Sequence, residues 1–116
     1  MLGNQVTQAV EEIILASHDS VATRKIIDFT LAKLRTFEIV PTEVQLVVLA
    51  NHLGEMIRRS QTNERMMRVD PLMFSEVSKE ALALSQAVVK EVGNLAVDEK
   101  YVLSIHFETA RQNKLN

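Results

Sequence analysis

The chain of 116 residues has no cysteine and no tryptophan, only three glycines and two prolines, and 4% aromatic residues. Lacking cysteine, it can form neither a disulfide framework nor a thiolate nucleophile, a usage compatible with a reducing cytoplasm. Charged residues break every apolar run well before the roughly 20 residues that a membrane span requires. The N-terminus also lacks the basic flank and apolar segment of a secretory signal. A formal net charge of -2 argues against broad electrostatic binding to nucleic acid, which needs a strongly basic surface to release phosphate counterions. Gly-x-Gly-x-x-Gly, a phosphate-binding Gly-Lys-Ser/Thr loop and His-Glu-x-x-His are all missing, so no cofactor and no separate enzymatic activity is expected.

What is present is helical. At 47% hydrophobic residues the length suits one core and one compact domain. Val6, Ala9, Val10, Ile13 and Ile14 recur at three-and-four spacing and predict a helix over 5–17. Asp19 or Ser20 can cap a second helix reaching about Phe37, with Ile26, Ile27, Leu31 and Leu34 as its apolar stripe. Thr42 and Gln45 stand at capping-box spacing before a third, whose stripe is Leu46, Leu49, Leu53, Met56 and Ile57. Asp70-Pro71 closes a polar loop over 61–71. Phe74, Val77, Ala81, Leu84, Val88 and Val92 then predict a fourth helix ended by Gly93-Asn94. Asp98 can cap the last, in which Val102, Leu103, Ile105, Phe107 and Ala110 point to more than one face, the pattern of a central or dimeric helix.

Two histidines inside these helices are the candidate chemistry. His52 has Val48 and Leu49 one turn before it, Glu55 and Met56 one turn after, and Arg59 two turns after. His106 sits between Val102, Leu103, Thr109 and Ala110. A neutral imidazole with a free ring nitrogen can accept a phosphoryl group, though spacing alone favours an ordinary helix residue bonded to a carboxylate or carbonyl; as the two lie on separate helices, they also suggest a paired site, each the other's partner across a groove. Arg58, Arg59, Arg65 and Arg68 follow His52, and their guanidinium groups suit bidentate phosphate recognition or favourable charge at a helix C-terminus. Glu55 and Glu99 make a metal site conceivable, but di-metal bundles use Glu-x-x-His, and here the order is His52-x-x-Glu55, once. Ser17-His18-Asp19 is no triad, since triad geometry is assembled from separate elements.

The two histidine segments, Leu49-Ala50-Asn51-His52-Leu53 with Arg59, and Asp98-Glu99-Lys100-Tyr101-Val102-Leu103-Ser104-Ile105-His106-Phe107, resemble those of the PTS regulation domain, or PRD. That family occurs in bacterial transcriptional antiterminators and activators. The resemblance covers roughly residues 20 to 114, and the second segment is the more specific. It implies an all-α, five-helix PRD-like bundle at 19–116, with 1–18 as an additional N-terminal helical extension. It also implies a cytoplasmic homodimer whose phosphoacceptors, His52 and His106, take phosphate from HPr or an EIIB component of the sugar phosphotransferase system. In this reading Arg58 and Arg59 contact the phosphate or a partner, Asn51 and Glu99 are candidates for orienting the histidines, and no metal, membrane or nucleic acid is bound by the chain itself.

Asn51 stands where the family often carries an acid, and the 116 residues have room for one such module and an N-terminal helix, so the chain is expected to be a stand-alone regulator or a fragment. Both points motivate a second expectation, a dimeric adaptor of the same fold that has lost phosphotransfer and binds another regulator or an operon enzyme. A small metal-dependent enzyme is a third.

Overall fold

A computed structural model describes residues 6–113. Its α-helices are α1 (Gln8–Ala16), α2 (Ser20–Thr36), α3 (Glu43–Thr62), α4 (Lys79–Val92) and α5 (Glu99–Arg111), with a 3-10 turn over Pro71–Phe74 and no strand among the described residues. The starts are fixed by side-chain caps. Thr7, Asp19, Thr42 and Ser78 each accept a backbone N–H of the first turn, and Gln45 returns a bond to the Thr42 N–H to complete the capping box. The ends of α3 and α4 use left-handed backbone, at Asn63 (φ 63°) and Gly93 (φ 79°).

The predicted stripes converge on one core. Ile26, Ile27, Leu31 and Leu34 of α2 meet Leu46, Leu49, Leu53 and Met56 of α3, and Ala81, Leu84 and Val88 of α4 pack with Leu103, Phe107 and Ala110 of α5. Each fully buried side chain of Leu, Ile or Phe size contributes about 1.5–3 kcal/mol.

Three expectations are corrected. The helix near the N-terminus is the first of five, and no sixth accompanies it among the described residues. Val10 and Ile14 lie fully inside the common core, so α1 is part of the bundle's packing. Position 5, its predicted first residue, lies outside the described residues. The fourth helix starts at Lys79, later than its apolar spacing suggested, because Pro71 sets a 3-10 turn capped by Asp70 and Ser78 caps α4 afresh. Phe74 accordingly leaves the helix and stacks on Tyr101, with centroids 5.6 Å apart. Asp98 makes no side-chain cap to α5; its carboxylate accepts the Val69 N–H at 3.0 Å and ties the preceding loop to the start of that helix.

Candidate functional site

Helices α3 and α5 run antiparallel, and three polar pairs bridge them at intervals of seven residues on each. At one end the side chains of Gln45 and Asn113 exchange hydrogen bonds, 3.2 Å from the Gln45 amide to Asn113 Oδ1 and 2.7 Å in return. In the middle the His52 and His106 rings meet edge to face, with centroids 4.8 Å apart and planes at 63°. At the other end Arg59 grips Glu99 with two bonds, Nε to Oε2 at 2.7 Å and Nη2 to Oε1 at 2.9 Å. Seven residues is close to two helical turns, so each set stays on one face of its helix. Leu49, Met56, Leu103 and Ala110 fill the same two helices between the pairs.

The middle pair is chemically distinctive. Burial pushes His52 down to about 4, and the neighbouring His106 and Arg59 add to the effect while Glu55 opposes it. Burial also lowers His106. Near neutral pH both rings are therefore uncharged, each with a nitrogen lone pair. Nε2 of His52 is buried and has no hydrogen-bond partner among the described residues, a cost that a structural histidine ordinarily avoids. His106 instead borders an open groove of about 260 Å³ between the two helices, lined by Val44, Gln45, Val48, Ile105 and Thr109.

The end pair is nearly dry. The Glu99 side chain is 0% exposed and that of Arg59 16%, so a forked guanidinium neutralises a carboxylate inside the fold.

Helical periodicity separates the remaining candidates. Asn51, Glu55 and Arg58, spaced four and three apart, share the face of α3 turned to α1, where they line a groove with Ala9, Glu12 and His18. The Asn51 amide donates to the Val47 carbonyl at 3.3 Å. Arg58 binds Glu55 at 3.0 Å and also pairs with Glu64, which holds its charge away from the histidines. Glu99, a candidate for orienting a histidine, gives both oxygens to Arg59. Arg65 bonds the Asn94 carbonyl and side chain at 3.3 and 3.0 Å on the far side of the loop. Ser17 donates to the Ile14 carbonyl, and Asp19 caps α2 while accepting from Gln61. Among the described residues no three histidine or carboxylate side chains gather as metal ligands.

Sequence reasoning suggested a paired histidine site, which the ring contact bears out, but it found Arg59 and Glu99 only separately and missed Gln45–Asn113 as a bridge. The signal was available, because 45, 52 and 59 on α3, and 99, 106 and 113 on α5, repeat the same interval.

No helix among the described residues is long and apolar enough to cross a membrane. No family model matches the chain, and no curated protein does. Among solved structures, the chain is similar to a PRD-containing transcription regulator from Lactobacillus casei, with 43% identity and a TM-score of 0.90 over 92% of this chain and 96% of that one. At that identity and coverage the agreement extends from sequence to backbone, and the chain belongs to the PTS regulation domain family.

Proposed function

We propose that this chain is a regulatory module switched by phosphorylation of His52 or His106, acting as a homodimer to control transcription or antitermination. The observation that carries the reading is the pair of uncharged imidazoles brought face to edge across α3 and α5. A nitrogen lone pair attacks the donor's phosphorus, the donor bond breaks as the new P–N bond forms, and the imidazole's other nitrogen gives up its proton to water. Such a switch needs no further catalytic residue in this chain. The phosphoryl donor is a phosphotransferase-system component, HPr or EIIB, which places the module in the cytoplasm.

A phosphoryl group adds roughly two negative charges. At His52, whose Nε2 is sealed, the group has no room without rearrangement of α3 against α5, whereas at His106 it enters the groove between the same helices. The apolar residues flanking His106 supply a route to the dimer: Val44 is 73%, Val48 48% and Ile105 47% exposed, and a second copy covering them would sense that rearrangement. Incubation with phosphorylated HPr and EIIB should place an acid-labile phosphate on the wild type and none on a His52→Ala/His106→Ala double variant. An unlabelled wild type, or a fully labelled double variant, sinks the reading.

The alternative is an adaptor of the same fold without phosphotransfer. The Asn51 amide favours it, bonded as it is to Val47 and not to His52. A stable partner retained by the unlabelled double variant would support that reading.

A further inference from the structure

The Arg59–Glu99 pair has an arrangement that a purely structural ion pair does not require. It stands one interval from the histidines on both helices, in the same line of contacts. Side chains on a helix lean toward its N-terminus. Arg59 on α3 therefore leans toward His52, while His106 on the antiparallel α5 leans toward Glu99. The positive charge of Arg59 is already felt at His52. Arg58, the other candidate phosphate ligand, is committed to Glu55 and Glu64 on a different face.

We propose that Glu99 is a positioning residue that holds Arg59 in reserve, and that a phosphoryl group on His52 draws the guanidinium away from it. This deepens the phosphorylation reading and rests on it. The exchange follows from charge: the phosphoryl group brings roughly two negative charges where the carboxylate has one, and its three oxygens accept the guanidinium fork equally well. The carboxylate left behind is the trigger. At 0% exposure a lone charge is too poorly solvated to stay, so the first turn of α5 moves to bring Glu99 to water.

The local anchoring of that turn suits it to pass a motion on. Asp98 gives α5 no side-chain cap, while the buried Ser85 hydroxyl of α4 donates to the Lys100 carbonyl. Displacement of the turn therefore reaches α4. The preceding connection is fastened to the end of α3 through Asn94, whose amide donates to the Ser60 carbonyl and to Asn63 Oδ1. With that clamp behind it, displacement of the turn passes to its own bonded partners, the Val69 N–H on Asp98 and the Ser85 hydroxyl on Lys100.

Two readouts on the 116-residue chain test the exchange: the lifetime of the phosphohistidine, and hydrogen exchange of the amides at 100–103. Phosphoramidate, a small donor, and phosphorylated HPr serve as probes. In the wild type, phosphorylation should speed exchange at 100–103 by about tenfold. Glu99→Gln, once labelled, should keep the phosphate at least as long as the wild type, yet show no acceleration, since no charge is stranded. Arg59→Gln should shorten the phosphohistidine lifetime by about tenfold, the loss of one charge-assisted contact. Because Arg59→Gln leaves Glu99 unpaired and destabilises the fold, the Arg59→Gln/Glu99→Gln double variant repeats the lifetime measurement without that charge. Arg59→Lys, which keeps charge but not the fork, should fall between. A labelled wild type whose exchange at 100–103 does not change, or lifetimes unaffected by the Arg59 substitutions, overturns the proposal while leaving histidine phosphorylation intact. A wild type that takes no acid-labile phosphate from either donor overturns both.

Discussion

Acidification should destabilise the fold through His52, and the size of the effect follows from its burial. Folding lowers this imidazole from an ordinary 6.5 to about 4. Between those values the unfolded chain binds more protons than the folded one, so stability falls as pH falls, whereas above about pH 7.5 the group is neutral in both states and contributes no slope. Integrated down to about pH 4.5, the difference is about 2.5 kcal/mol, approaching about 3.4 kcal/mol at lower pH. His106, lowered by burial as well, acts in the same direction. Carboxylates held low by partners, such as Glu108 beside Arg111, add their own loss at more acid pH, so the contribution of His52 must be read against a control. His52→Gln provides it, retaining a polar side chain that does not titrate in this range. Urea unfolding of both proteins between about pH 7.5 and about pH 4.5 should show the wild type losing about 2.5 kcal/mol more than the variant. Curves that run parallel within about 0.5 kcal/mol would refute the burial argument, and with it the claim that the central imidazole is kept uncharged by its surroundings.

The buried ion pair should behave asymmetrically in a double-mutant cycle. Arg59→Met, which strands the Glu99 carboxylate, should cost about 3–5 kcal/mol in denaturant unfolding, whereas Arg59→Met/Glu99→Leu should recover most of that loss; equal costs would deny that the stranded charge is the cause. Val48→Glu places a charge in the exposed apolar strip beside His106 and should weaken self-association by at least about tenfold in sedimentation. A dimer of unchanged affinity would move the interface elsewhere.

Local patterns in the sequence settled more of this protein than composition did. The stripes at 26, 27, 31 and 34, and at 46, 49, 53 and 56, are buried as their spacing required, since helical periodicity is a property of the chain over a few turns. Thr42 with Gln45 made the capping box that the pattern announced. The start of α4 was not legible in the same way. Phe74 and Val77 continue the apolar spacing, but Pro71 and the Ser78 cap impose a break that hydrophobicity alone does not register. Asp98 misled for a related reason: an acid at a helix start is a cap only if no other donor claims it, and the Val69 N–H does.

For the site, the sequence by itself determined which residues could do the chemistry and the family to which their surroundings belong. It also fixed that 52 and 59 share a face of one helix, as 99 and 106 do of another, because seven residues return to nearly the same side. Only the tertiary structure decided that those two faces meet antiparallel, in the one register that sets His52 against His106 and Arg59 against Glu99. It likewise turned Asn51 and Arg58 toward α1, and gave α1 a place in the core through Val10 and Ile14. Pairing between helices depends on how all the stripes close around one core, and a shift of one turn would have left every local pattern intact while separating the two histidines.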